Sequence, residues 1–554
     1  MDVVGSSQLC PNSLPLKSPD ITASYRRYLA NNLSSALTHP LHNTAESAWA
    51  NLSSAIQKAA SDTIGFTSKR HQDCLDDSSL EILNLLEEKH KALSAHLSNP
   101  QSPSLRSNWS NIRAECLPKL PPVHELDDPP RFSEVLAAVR SLKDNKSTGP
   151  DGIPAEALKK GGYLLTKNLH QLIQIIWAQK TVPQGWKDSH IVTIHKKKGD
   201  KSICGNSRGI SLLSVAGKVL TRVMLFRLTK HITERILPES QGGFRKDRPT
   251  SDMIFVLRQL QEKAREQNKD LFIAFIDLAK AFDTIDRQVL WVILEKFGVP
   301  PRFLEILQQF HDGMQACVIV GTSRSPSFPV QVGVKQGCVL APVIFNLFLA
   351  AVTLLSRNSL SPDDGVCLQF RLDGNLFNLR RLQAITKTTT TTIHELQYAD
   401  DCALVAHSPT AMQHTLDVVC AVYQACGLQV NIKKTEIIAQ TMVPTLTPPE
   451  FFIHGTPVKV VQHFCYLESI LTPTCLIDNE IQARINLASS AFGRLRSRVF
   501  VNKDLRTFTK AAVYQAVCIS TLLFGAEAWT PYRRHIRCLE GFHIRCLQRI
   551  LGVT

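Results

Sequence analysis

The sequence predicts an α+β protein, on three observations. Apolar residues recur at helical spacing toward both ends of the 554-residue chain, the middle is dense in short apolar runs, and carboxylates interrupt those runs at Asp277 and at Asp400–Asp401. Apolar residues make up 44% of the chain, ample for a core, and the length gives a prior of about three to four domains.

The first 120 residues read as a polar, partly disordered, helical extension. Trp49, Leu52, Ile56 and Ile64 predict one helix, and Ser78 with Glu81, a capping box ahead of Ile82, Leu85, Leu86 and Leu93, predicts a second. Residues 121–470 carry the strands, helices and Gly-bearing turns. The threonines from Thr388 to Thr392 favour extended structure. The apolar run from Cys338 to Leu355 approaches the length of a membrane span, but Pro342 and Asn346 interrupt it, and a buried core helix is the better reading. Residues 471–554 predict a small helical bundle, with Arg484, Arg494, Arg496, Arg498, Arg533, Arg534, Arg537, Arg545 and Arg549 on or beside its apolar stripes. A solvated charged face and a phosphate-tracking face explain those arginines equally well.

Charge and cysteine content narrow the function. Lys and Arg number 63 against 48 Asp and Glu, and the net charge of +15 favours a polyanionic partner such as nucleic acid. The 15 cysteines include no C-x-x-C pair and no secretory leader precedes them, which fits reduced thiols in an intracellular protein, nuclear or cytoplasmic. Cys538, His543 and Cys546 match no common zinc spacing, and helix packing accounts for them.

The carboxylates carry the chemistry. Leu271 to Ile276 read as a buried strand that Asp277 ends, followed by a helix bearing Phe282, Ile285, Val289 and Ile293 on one side, with Asp283 and Asp286 solvated. Glu395–Tyr398 and the run after Asp401 read as two strands joined tightly at Asp400–Asp401, so the carboxylates project from a hairpin tip. An ordinary Asp-containing turn explains that pair taken alone. Three carboxylates facing one cleft repel one another unless a cation neutralises them, and they suit two Mg²⁺ ions about 3.5–4 Å apart, with Mn²⁺ as a substitute.

Seven stretches, in order, resemble the reverse transcriptases of non-LTR (LINE-type, jockey-like) retrotransposons: NKSTGPDGIPAEAL from Asn145, IHKKKGDKSICGNSRGISLL from Ile194, SQGGFRKDRPTSDMI from Ser240, FIDLAKAFDTIDR from Phe275, GVKQGCVLAPVIFNLFL from Gly333, YADD from Tyr398 and GLQVNIKKTE from Gly427. The resemblance runs from about residue 45 to the end. It implies a right-hand polymerase of fingers, palm with an antiparallel sheet and helical thumb, and a fragment without the endonuclease that such elements commonly carry.

The resemblance also implies roles. Asp277, Asp400 and Asp401 match the catalytic, metal-binding aspartates, with the Leu278 carbonyl on one ion. Phe282 falls at the aromatic position that blocks a ribose 2′-hydroxyl, although it also fits the apolar face of its helix. Arg208 corresponds to the arginine that meets the incoming triphosphate; its companion lysine is Lys196, Lys197, Lys198 or Lys201. Gln336 and Gly337 match the motif where nucleotide and template approach the backbone, and Lys434 matches a proton donor to pyrophosphate. The implied partners are an RNA template, a DNA primer or target, dNTPs and the element RNA as a ribonucleoprotein, with no membrane.

Two positions depart from the pattern. Ser207 stands where Tyr is usual, and Glu468 in FCYLESI stands where the primer-grip hairpin normally has Gly. They motivate the alternative of a catalytically inactive, nucleic-acid-binding remnant. A polymerase making RNA, or an intron maturase, shares the palm logic, but Phe282 disfavours RNA synthesis.

Overall fold

The computed structural model describes residues 10–11, 16, 18–33, 44–67, 117–196, 200, 206–320, 323–371, 388–442 and 449–553. The chain divides into two compact units, each gathered from separated stretches: Met1–Leu237, Lys280–Leu355 and Ala425–Gly427 in one, Pro238–Ala279, Ser356–Gln424 and Leu428–Thr554 in the other.

In the first unit, the helix expected around Trp49 spans Ala45–Ile64, and Thr44 caps it by accepting the Ser47 N–H at 3.2 Å. Its inward face packs Trp49 edge-on against Trp186, with ring centroids 5.4 Å apart. The second expected helix, around Ser78 and Leu93, lies outside the described residues. The NKSTGPDG stretch fixes a corner of this unit. Asp151 accepts the Ser214 hydroxyl at 2.6 Å and the Ile153 N–H at 3.2 Å, and Gly149 lies so near Leu213 that a Cβ would meet its carbonyl carbon at 2.4 Å. Three strands form the centre of this unit's sheet: Ser189–His195 pairs antiparallel with Ser207–Leu212 and parallel with Gln315–Val320.

The helix expected after Asp277 is broken. A single turn, Ala281–Thr284, is followed by a separate helix, Arg287–Lys296, because Ile285 takes an extended ψ of 127° and Asp286 becomes the cap of the second helix. Asp286 accepts the Gln288 and Val289 N–H groups at 2.8 and 3.4 Å, so it is a structural cap and not a solvated helical residue. Asp283 is exposed, as expected.

The second unit is built on a six-stranded sheet in the order Glu395–Tyr398, Asp401–Ala406, Leu271–Ile276, Glu436–Gln440, Thr456–Val460, Phe451–Ile453, antiparallel except where Glu436–Gln440 meets Thr456–Val460. Every residue of Leu271–Ile276 is buried, as its unbroken apolar run requires of a central strand. The Thr250–Glu266 helix packs Met253, Ile254, Leu257 and Leu260 into a core shared with Ile273, Phe275, Ala403 and Val405. Thr388–Ile393 is a strand, paired with Val366–Arg371. The mixture of helices and a mainly antiparallel sheet is the α+β class that the sequence predicts.

The C-terminal helices of this unit share a core of Phe492, Phe500, Tyr514, Cys518, Phe542, Cys546 and Ile550. One expected surface arginine is displaced into the interior: Arg484 is 4% exposed and bonds Glu480 at 2.8 Å, a buried ion pair whose charges need each other. Cys546 is buried and His543 bonds the Tyr514 hydroxyl at 3.0 Å, in line with helix packing.

The apolar run from Cys338 enters the Ala341–Arg357 helix, whose Ile344, Phe345, Leu347 and Phe348 are fully buried. Among the described residues, Thr507–Ala528 is the segment long and apolar enough to cross a membrane, one that the sequence reading did not single out. Its Tyr514, Cys518 and Leu522 are packed into the helical core.

Candidate active site

Asp277 leaves the central strand at its C-terminal end. Its N–H reaches Thr435 Oγ1 at 3.4 Å, and its carbonyl accepts the Asn431 N–H at 2.8 Å. The GLQVNIKKTE stretch therefore runs alongside Asp277–Ala279: Leu278 bridges Val430, and Ala279 N–H bonds Gln429 O at 2.8 Å. Lys434 turns back over this segment and places Nζ 3.3 Å from Asp277 Oδ2.

Asp400 and Asp401 sit at the tip of the neighbouring hairpin, as the sequence predicts. Tyr398 pairs with Asp401, leaving a two-residue turn at Ala399–Asp400, and Cys402 pairs with Ile276, the residue before Asp277. Strand pairing thus delivers the three carboxylates to one end of the sheet. The Asp401 carboxyl is pushed up to about 6, by burial and then by the negative charges of Asp400 and Asp277. Since Asp401 as a whole is exposed, solvent tempers the first cause, and the mutual repulsion is the informative one.

Among the described residues, no three His, Cys, Asp or Glu side chains stand close enough together to hold a metal ion as they lie. Lys434 is the cation at Asp277 here. The donor set itself suits a hard divalent cation: carboxylate oxygens with a surplus of negative charge, next to backbone that can add a carbonyl. In chemistry the residues fit such an ion, and their repulsion is the strain it would relieve.

The other expected residues belong to the first unit. Arg208 is exposed on the Ser207–Leu212 strand. Gln336 and Gly337 are braced against the same strand: Ser211 N–H bonds Gln336 O at 2.9 Å, and a Cβ on Gly337, at φ 112°, would meet Ser211 O at 2.6 Å. Phe282 is half-buried and stacks on Phe345 with centroids 4.4 Å apart. Its carbonyl accepts the Val334 N–H at 2.8 Å, which joins its motif to GVKQG. Lys196 is exposed, whereas Lys197, Lys198 and Lys201 lie outside the described residues.

Sequence reasoning assigned no role to Gln241 and Gly243, which pack directly on the Asp400 turn. A polar residue beside paired glycines, Gly242 and Gly243, is the signal that could have marked a close backbone approach.

Residues 194–460 match the family described as Reverse transcriptase (RNA-dependent DNA polymerase). That segment is similar to reverse transcriptases, and the relatives found are proteins of non-LTR, LINE-type elements. The chain is 25% identical over 339 residues to a Transposon TX1 uncharacterized 149 kDa protein of Xenopus laevis, covering 61% of this chain and 24% of that one. To a probable RNA-directed DNA polymerase from transposon BS of Drosophila melanogaster it is 25% identical over 411 residues, 72% of this chain and 42% of the relative. To an RNA-directed DNA polymerase from mobile element jockey of the same fly it is 21% identical over 434 residues, 76% and 44% of the two chains. The chain thus spans less than half the length of these curated relatives. Reverse transcriptases generally use divalent metal ions.

Proposed function

We propose that this chain copies RNA into DNA, transferring deoxynucleotides from dNTPs onto a primer 3′-hydroxyl. The observation that carries the reading is the delivery of Asp277, Asp400 and Asp401 to one end of the sheet, where burial and then the neighbouring negative charges raise Asp401 to about 6. In this reading the three carboxylates and the Leu278 carbonyl would hold two divalent cations, Mg²⁺ or Mn²⁺. Such a pair would lower the pKa of the primer hydroxyl and neutralise charge on the leaving pyrophosphate.

The remaining work falls to the chain's own groups. Lys434, held near Asp277, donates a proton to the departing pyrophosphate. Arg208 binds the triphosphate through its planar guanidinium. Phe282, with its ring fixed against Phe345, excludes a 2′-hydroxyl and so selects dNTPs. Gln336 and Gly337 offer backbone where the nucleotide and template approach.

The reading assigns 1–120 to an N-terminal extension, 121–470 to fingers and palm, and 471–554 to a thumb whose arginines hold an RNA–DNA duplex by its phosphates. The partners are template RNA, a DNA primer or target, and the element's own RNA in a ribonucleoprotein, inside the cell.

Primer extension on an RNA template tests this, comparing dNTPs with NTPs for the full chain and for Asp400→Asn/Asp401→Asn. Incorporation of dNTPs alone, lost in the double variant, is expected. Equal use of NTPs, or extension that survives both substitutions, would refute the reading.

A further inference from the structure

The Asp400 turn contains a conformation that its own sequence does not favour. Ala399 takes φ 57°, in the left-handed region where a Cβ is crowded and glycine is at ease. The two-residue connection between the paired Tyr398 and Asp401 demands such a residue. The next two residues are carboxylates, whose repulsion adds to the pressure on the turn.

Residues 240–243 lie along the outer edge of Glu395–Tyr398 and supply the counterforce. Gln397 N–H bonds Ser240 O at 2.7 Å, Gly242 N–H bonds Gln397 O at 2.9 Å, and Gln241 and Gln397 form a parallel bridge. The Gln241 side chain, only 1% exposed, continues this pairing around the turn. Its Oε1 accepts the Ala399 N–H at 3.0 Å and the Gly243 N–H at 2.9 Å. Its Nε2 donates to Gln397 Oε1 at 3.3 Å and to Ala399 O at 3.5 Å. One buried carboxamide therefore grips both peptides that flank Ala399. Gly243 closes the contact, since a Cβ there would meet the Ala399 nitrogen at 2.1 Å and its Cα at 2.8 Å.

We propose that Gln241 is a positioning residue for the Asp400–Asp401 pair: it holds the left-handed Ala399 turn, and with it the spacing of the carboxylates, through the two peptides beside Ala399. This rests on the polymerase reading above. Gln241 touches no reacting atom; it replaces the freedom of a glycine turn with a rigid one, so the aspartates stay aimed despite their repulsion.

The test compares the full chain with Gln241→Met, which keeps the volume and loses the hydrogen bonds, and with Gln241→Met/Ala399→Gly, which removes the steric need for the brace. Expected for Gln241→Met is a fall in kcat on the order of 100-fold with the dNTP KM within about twofold. Hydrogen exchange should quicken at the Ala399 amide and stay unchanged in Leu271–Ile276, and the added glycine should restore part of the rate. A wild-type rate in Gln241→Met would overturn the proposal. So would faster exchange spread evenly through the sheet with no rescue, the result of lost packing alone. Should Gln241→Met fail to fold, Gln241→Glu decides, because it keeps the acceptor for both N–H groups: a protected Ala399 amide supports the brace and an exposed one overturns it. Exchange at Ala399 needs no catalysis. An inactive wild-type chain would therefore sink the polymerase reading while that amide still judges the brace.

Discussion

Asp401 carries opposing demands in one side chain. Its carboxyl is pushed up to about 6 from an ordinary 3.8, so the folded chain keeps a proton that the unfolded chain has already released. The sign follows: this group's contribution to stability is present below about pH 4 and is lost as pH rises through 6. Asp401→Asn should flatten that step, raising the melting temperature of the metal-free chain at pH 7 by about 2 °C while abolishing extension. Added Mg²⁺ at pH 7 should stabilise the wild-type chain more than the variant. Thermal melts of both chains at pH 5 and pH 7, with and without Mg²⁺, check this; an identical pH response in the two would mean that Asp401 is not crowded. The position of this carboxylate was legible in sequence because the alternation from apolar strand to paired aspartates is local. The tilt of its pKa was not, since that depends first on burial in the folded sheet and then on charges that include Asp277, more than a hundred residues away.

The hairpin of Phe464–Tyr466 and Ser469–Leu471 shows what local pattern conveys and what it hides. The family resemblance implies a hairpin at FCYLESI and marks Glu468 as a departure, yet only the backbone gives its form: Leu467 at φ 46° and Glu468 at φ 69° are both left-handed. That is the dihedral demand of the tight two-residue turn that Asn-Gly usually meets, which is why glycine suits position 468. The hairpin holds regardless because it is fastened elsewhere. Phe464 stacks on Phe275 with centroids 4.0 Å apart, Arg258 donates to Ser469 Oγ and Ile470 O at 3.1 Å, and Ile470 N–H bonds Glu480 at 2.5 Å. Phe275 and Arg258 lie far back in the chain, where no sequence window that contains the hairpin reaches them, and Glu480 comes from the helix that follows it. The buried Arg484 and the break at Ile285 were missed although their contacts are local: Arg484 pairs with Glu480 one turn away, and a cap on Asp286 outcompetes a continuous helix. Glu468→Gly should relieve the strained turn and stabilise the chain by about 1 kcal/mol, measured as a higher urea midpoint at unchanged m. A lower midpoint would show that the extra freedom of glycine in the unfolded chain outweighs the strain.

For the molecule as a whole, the net charge of +15 sets the expectation of a phosphate partner, and the C-terminal helices hold much of the exposed cationic surface. Arg545 and Arg549, four residues apart on the Arg533–Leu551 helix, are both exposed and share a face. A solvated charged face and a duplex-tracking face look alike in a structure of the chain alone, but they differ in how binding responds to salt. Each arginine that replaces a counterion on a phosphate adds about 0.9 to the slope of log affinity against log salt, whatever the sequence bound. Arg545→Ala/Arg549→Ala should therefore weaken RNA–DNA duplex binding uniformly across sequences and lower that slope by about 2. Fluorescence anisotropy over a salt series measures both quantities. The carboxylates proposed to be catalytic remain in this variant, so its kcat at saturating duplex should match the wild type while the duplex KM rises. A slope unchanged by both substitutions would assign these arginines to solvent and leave duplex binding to another surface.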